Sequence, residues 1–434
     1  MVPRVVKPRV ANLRNDFRLA TALSAVLLAA FAFLPARAQS GRATPALTKA
    51  QWAEDVRYFA RELPKRHKNA YHATSQEQFG RAVAELESAI PSLQDHQIAV
   101  RLHQIAASVG DGHTRVQSPA FFKRYPLNVS WFGKDLRVTA AGQDYTRALG
   151  TRLVKVGGVG IDEVQSKVAT CFPSAANENA WYVLNTSPAF IMRPEVLHGL
   201  GIVSDLARAA FTFADDQDGE FTLDVAPVAL PTPTGGVVNL GLLAAAKQQP
   251  MYRQKPGEPF WFTPLPETET MYVAWRGYQS LGNHARALFT AIDKQPPTRL
   301  VIDLRQNGGG DFFEGRKHMV EPIRKRAALN QKGRLFVIVG RATFSAAMVN
   351  AIDFRKDTNA ILVGEPIGER PNSYSENDEM TLPNSRIVVS YSTRYYKFVD
   401  EDVPAVLPDT HIETAWTEFQ AGRDPVMEWI LRQP

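Results

Sequence analysis

The sequence predicts an α/β fold in its C-terminal half, preceded by a helical N-terminal region and a mainly-β region. Three observations predict this. Between residues 47 and 110 apolar side chains recur at helical spacing. Between 125 and 231 short β-like runs are separated by glycine-rich turns. From Met271 onward, near-continuous apolar strands alternate with helical patterns, as in largely parallel sheets covered by helices. With 434 residues and 44% hydrophobic side chains, the chain can bury several cores.

The first 38 residues stand apart. Arg4, Lys7, Arg9, Arg14 and Arg18 precede an apolar run from Leu19 to Leu34, and Ala36-Arg37-Ala38 has the small-x-small pattern of a cleavage site. This predicts a signal peptide at 1–38, cleaved near Ala38, and a periplasmic or secreted protein without a stable membrane span after cleavage. An uncleaved anchor is the alternative, although the run is short for a span. The leader carries six basic and one acidic side chains, so only about +1 of the formal +6 belongs to the remainder. No basic stripe is left to suggest nucleic acid. The single cysteine, Cys171, excludes an intramolecular disulfide and a cysteine metal knuckle, and reads as a small core residue.

In the helical region, Trp52, Val56, Phe59, Ala60 and Leu63 share one face, and Phe79, Ala82, Val83 and Leu86 another. A third run, Ile98, Leu102, Ile105 and Ala106, ends at Gly110. Asp111, flanked by Gly110 and Gly112, makes a tight turn that aims His113 outward. The plainer reading of His113 is a surface loop histidine. In the β region, runs at 127–131, 136–138, 152–156 and 221–225 read as strands and 162–169 as a helix; residues 151–169 suggest a small peptide-binding type of barrel. Residues 231–236 read as a linker. Beyond it, strands are expected at 271–275, 300–304, 335–339 and 361–363. Helices are expected at 283–292, at 313–320 (ended by Pro322) and at 345–354. A hairpin at 379–382 and 386–392 closes the chain. The predicted division is 1–38, 39–116, 117–236 and 237–434.

Chemistry concentrates at two strand ends. Strand 335–339 stops at Gly340, a short turn follows, and Ser345 opens a helix. Such a serine lies near the positive end of a helix dipole, with the Ala346 N–H free to meet an oxyanion. The plainer reading is a helix N-cap. Strand 300–304 runs into Gly308-Gly309-Gly310, which brings bare amides to the crevice where α/β sheets bind ligands. The loop lacks the Lys-Ser/Thr and the glycine spacing of nucleotide sites. It reads either as a tight loop or as an oxyanion hole, with a Gly308 or Gly309 N–H paired to that of Ala346.

The segments VIDLRQNGGG, GRATFSAAMVNAID and ILVGEPIGERPNSYSE resemble the catalytic core of the tail-specific (C-terminal-processing) serine peptidases. GDGHT matches the histidine-bearing branch related to the tricorn core protease. The resemblance spans most of the chain after residue 38. It implies a crotonase-like α/β catalytic domain, a helical N-terminal portion, a degenerate PDZ-like module near residues 145–200, and amide hydrolysis with Ser345 as nucleophile. One departure matters. Where the Ser–Lys branch has its lysine, this chain offers Arg370, which keeps its proton at any useful pH and cannot be a base. Lys356 and Lys397 do not match that place either. His113 is then the expected base, with activity rising through a pKa of roughly 6–7. The resemblance points to Glu376 as the group that orients His113; Asp111 is the runner-up. Gly112 stands where the tricorn core has a relaying serine. Arg370 is left as a possible binder of a substrate carboxyl terminus.

No metal site is expected: there is no HExxH, and His67 and His72 read as surface residues in a polar loop. No cofactor is implied. Trp261-Phe262 and Tyr395-Tyr396 read as core before cleft. The expectation is a secreted serine peptidase acting on peptides or proteins. An esterase on the same site and a non-catalytic peptide-binding protein are the alternatives. Oligomeric state and peptide preference are not legible.

Overall fold

The computed structural model describes residues 47–229, 237–239 and 249–434. The expected signal peptide at 1–38 and the expected linker at 231–236 lie outside them. Thr48 and Ser75 cap the first two helices, α1 (Lys49–Arg66) and α2 (Gln76–Ala89), each through a capping box with a glutamine. On α1 the predicted stripe of Trp52, Val56, Phe59 and Leu63 is fully buried. Burying each such side chain stabilises the fold by at most about 1.5–3 kcal/mol. Helix α3 (Asp95–Ala107) leads directly into the His113 turn.

Two residues after that turn the chain forms β1 (Arg115–Val116). A seven-stranded antiparallel sheet follows. It contains β2 (Leu127–Phe132), β3 (Asp135–Gly142), β4 (Arg152–Val156), β5 (Val159–Gly160), β6 (Ala209–Ala214), β7 (Glu220–Val225) and β8 (Val237–Asn239). Its order is β2-β3-β4-β6-β7, with β5 on β4 and β8 on β3. The expected helix is present as α4 (Ile161–Ala169). Two further helices, α5 (Ala180–Ile191) and α6 (Pro194–Gly199), are not obvious in the sequence. Cys171 is buried as expected.

The predicted parallel layer is a six-stranded sheet. Its strands are β9 (Phe260–Leu265), β10 (Thr270–Trp275), β11 (Arg299–Asp303), β12 (Leu335–Val339) and β13 (Ile361–Gly364), with a two-residue β16 (Thr410–His411) at the far edge. The order is β16-β13-β12-β11-β10-β9, parallel throughout except for β9. Side chains alternate between two cores. Leu335, Val337 and Val339 face one; Phe336 and Ile338 face the other. Cover on both faces explains why these strands read as unbroken apolar runs. The first core is roofed by α7 (Leu281–Lys294), by a helix α8 and by α9 (Ala346–Asp357). Helix α8 differs from expectation. It runs through Phe312–Gly315, Arg316–Val320 and Glu321–Arg324, passing Pro322 instead of ending there. The middle segment is π-helical, and a widened turn just before the proline loosens the hydrogen-bond ladder that the ring would otherwise break.

The closing hairpin is longer than predicted: β14 (Asn372–Thr381) pairs with β15 (Val388–Lys397). On its other side β15 pairs with β1, Arg115 opposite Ser390 and Val116 opposite Val389. The hairpin residues Met380, Leu382, Ile387, Val389 and Tyr391 share one continuous core with the N-terminal helices and the seven-stranded sheet.

Candidate active site

Ser345 stands between β12 and α9 with φ 54 and ψ −126. A side chain is strained in that region, at about 1–3 kcal/mol, and such strain persists only where the surroundings impose it. Here they do. Thr343, fully buried, donates to the Leu304 carbonyl at 2.8 Å and accepts from the Gly340 N–H at 3.0 Å. The Phe344 N–H donates to the Asn307 carbonyl at 3.0 Å. The turn is thereby stapled to the end of β11 and to the glycine loop. Ser345 occupies the N-cap position of α9, yet its side chain caps nothing. Its Oγ lies 3.1 Å from His113 Nε2 instead.

The imidazole is buried, stacked on Phe344 with ring centres 4.7 Å apart. Burial pushes its pKa down to about 4; Asp111 opposes the shift and Arg115 adds to it. The ring is therefore neutral, and able to accept a proton, well below the expected 6–7. Ser375 Oγ also approaches Nε2, at 3.4 Å.

The structure gives Glu376, the expected third member, other partners. Glu376 Oε2 accepts from the Tyr396 hydroxyl at 2.5 Å and pairs with Arg394 at 2.8 Å, on an exposed part of the hairpin. The carboxylate facing His113 belongs to Glu369, whose Oε1 is 3.5 Å from Nδ1 and whose Oε2 accepts the Ser345 N–H. The Nδ1 separation is longer than a hydrogen bond, as is common before substrate tightens a site. Burial, and then the nearby negative charges of Glu178 and Asp111, push Glu369 well above the usual carboxylate range. The runner-up, Asp111, has other partners. It accepts from Ser392 Oγ at 2.6 Å and from the Thr114 N–H at 2.8 Å, and it meets His67 Nε2 at 2.9 Å. His67 Nδ1 accepts the Asn69 N–H, so Nε2 carries the proton that Asp111 receives. His67, expected at the surface, is thus a buried anchor of the His113 turn; His72 is exposed as expected.

Of the oxyanion candidates, Ala346 opens α9, where no intrahelical acceptor exists for its N–H. Gly309 lies against the nucleophile. A Cβ there would come within 2.7 Å of Ser345 Cβ and 3.2 Å of Ala346 N, and its φ is 108. Its own N–H is turned to Asn307 Oδ1 at 2.9 Å. Arg370 has partners within the chain. Its guanidinium bonds Asp402 at 3.1 Å and the Ala176 carbonyl at 3.1 Å.

Beside Ser345 opens a cavity of ≈ 280 Å³, walled by Phe312, Phe313, Met348, Val349, Tyr396 and Phe398, with Glu369, Ser375 and Glu376 at its polar side. Tyr396, expected in the core, is one of these walls, whereas Trp261 is buried as expected. Glu369 is not indicated by the motif because Arg370, the next residue of its loop, occupies the place of the Ser–Lys branch's lysine. A carboxylate in that loop, sought as a partner for His113, was the usable signal.

A hydroxyl on a strained strand–turn–helix, in contact with a buried neutral imidazole beside a glycine loop, defines a class of site suited to nucleophilic attack by serine. In fold the chain is similar to CPAF. It matches a CPAF S499A mutant with a TM-score of 0.58 at 11% identity, over 89% of this chain and 98% of that one. It matches mature CPAF complexed with lactacystin with a TM-score of 0.57 at 10% identity, over 88% and 97%. No protein-family model matches the sequence, and no curated protein is significantly similar to it.

Proposed function

We propose that this chain is a secreted or periplasmic serine peptidase that cleaves peptide bonds through an acyl-enzyme on Ser345. The observation that carries the reading is the 3.1 Å approach of His113 Nε2 to a serine oxygen that caps no helix. His113 takes the Oγ proton as Oγ bonds to the carbonyl carbon. The C–N bond then breaks as His113 returns the proton to the leaving amine, and water repeats the sequence to free the acid. Glu369 Oε1 accepts Nδ1–H and fixes the tautomer that leaves Nε2 free to take the proton. The Gly308 and Ala346 N–H groups hold the oxyanion. The aromatic cavity beside Ser345 receives an apolar side chain of the substrate.

The sequence resemblance to tail-specific peptidases and the fold shared with CPAF support a crotonase-like core around the six-stranded sheet and a PDZ-like module in the mainly-β region. The basic–apolar–small pattern of residues 1–38 supports export. Among the described residues no helix is long and apolar enough to cross a membrane. Incubation with a fluorophosphonate probe followed by peptide mass spectrometry tests the mechanism. An adduct on Ser345, absent from Ser345→Ala and His113→Ala, is expected. A wild-type protein that hydrolyses peptides without forming the adduct rules the mechanism out.

A further inference from the structure

We propose one further residue for this chemistry, resting on the serine-peptidase reading above: Glu178 is the positioning residue that sets the gap between His113 and Glu369. Glu178 immediately precedes Asn179, the N-cap of α5, and is 1% exposed. Its two carboxylate oxygens reach in different directions. Oε2 accepts the N–H of Gly112, the residue before His113, at 2.5 Å. Oε1 accepts the N–H of Arg370, the residue after Glu369, at 2.9 Å. One carboxylate therefore ties together the two loops that carry the proposed base and its partner, although neither loop touches the other through a regular strand.

The rest of the α5 start acts in the same sense. Asn179 Nδ2 donates to the Ile367 carbonyl at 3.0 Å, and the Tyr182 hydroxyl donates to the Gly112 carbonyl at 3.3 Å. Gly112 has to be glycine for this arrangement. A Cβ would lie 2.9 Å from Glu178 Oε2, 3.1 Å from Phe344 and 3.2 Å from Tyr182. Where the related peptidases place a serine, this chain has left room for a carboxylate arriving from another element.

The clamp needs the ionised form. A protonated carboxyl turns one acceptor into a donor facing an N–H. The charged and titratable groups around Glu178 are Asp111 on the His113 turn, Tyr182 on α5, and Glu369 and Arg370 after β13. Burial pushes Glu178 up to about 7, partly offset by the Arg370 and Gly112 amides. The clamp thus closes as pH rises through neutrality, whereas His113 has already lost its proton by about 4.

The test is the rate of fluorophosphonate labelling of the full chain between about pH 5.5 and 8. In the wild type the rate is expected to rise through about 7. In Glu178→Gln it is expected to be about 10- to 100-fold lower at pH 8, the scale of a misplacement of about 1 Å, and nearly flat with pH. An unchanged rate, or a lowered rate that still rises through about 7, overturns the assignment. Should Glu178→Gln melt far below the wild type, Glu178→Asp decides. It keeps an ionisable acceptor, so a reduced rate that still depends on pH near neutrality is expected, and a pH-independent rate overturns the assignment. A wild type that never labels Ser345 removes the serine-peptidase reading itself, which separates the two failures.

Discussion

The backbone of Ser345 makes a thermodynamic prediction that needs no substrate. The perturbation is a pair of variants, Ser345→Ala and Ser345→Gly. Both lack Oγ, so the contact with His113 is lost equally and cancels. What differs is a Cβ carried at φ 54 and ψ −126. Removing it releases about 1–3 kcal/mol of strain. Against that, glycine costs about 0.4–1 kcal/mol through the freedom it adds to the unfolded chain. The half-buried methyl forfeits at most about 0.8 kcal/mol of burial. With each term at mid-range the balance favours glycine by about 0.5–1 kcal/mol, where at an ordinary position the same change would cost a similar amount. Thermal melting of the two variants, side by side in one buffer, reads the difference. Ser345→Gly is expected to melt about 1–2 °C above Ser345→Ala, small because the chain is long. A glycine variant melting about 2 °C or more below the alanine variant would show that the serine is not held under strain.

The remaining predictions concern partners and buried groups. Glu369→Gln should lower the Ser345 labelling rate by about 10²–10⁴, the range for losing the group that orients a catalytic histidine. Glu376→Gln, whose carboxylate serves Arg394 and Tyr396, should change the rate less than about tenfold; the reverse ranking would restore Glu376 as the partner. Gly309→Ala should abolish labelling and destabilise the fold by about 1–3 kcal/mol, since its Cβ would lie 2.7 Å from that of Ser345; a labelled, fully stable variant would show that the loop can move aside. His103, buried edge-on against Phe190, is pushed by burial to about 4, so the unfolded chain binds its proton first as pH falls below about 6.5. The stability that the neutral ring contributes is present above that pH and is lost toward pH 4. His103→Leu should therefore gain on the wild type by up to about 3 kcal/mol between those limits, read as a difference in melting temperature that grows with acidity; a difference independent of pH would contradict the burial argument.

Much of the fold was legible because its signals are local. The unbroken apolar runs of β10 to β13 follow from burial on both faces, and the stripe on α1 follows from burial on one. Ser345, His113, Ala346 and the glycine loop were legible because each sits in a short motif whose geometry is set by its neighbours in sequence. Residues whose roles depend on distant segments were not. Nothing near Glu178 says that two amides from residues 112 and 370 will converge on it. His67 reads as one more polar residue after a helix until Asp111, forty-four positions later, closes over it. Motif resemblance indicates a stretch of chain, here the one that holds both Glu369 and Glu376, while which of two nearby carboxylates faces His113 is decided by which way the backbone turns. The π segment before Pro322 is of the same kind: proline marks a place where a ladder must be relieved, not how.

The pairing of β1 with β15 has a consequence for when this molecule becomes active. Arg115 and Val116, directly beyond the proposed base, find their only strand partners among the described residues at Ser390 and Val389. The same C-terminal segment supplies Ser392 to Asp111 and receives the Lys68 N–H, while Asp55 holds the hairpin tip at Asn384 and Ser385. During synthesis the histidine emerges more than two hundred residues before the serine, and the strand that fixes it emerges later still. Contacts this distant in sequence form late. A growing chain therefore carries the proposed nucleophile and the proposed base before the site can assemble, because the strand that holds the histidine turn has not yet emerged.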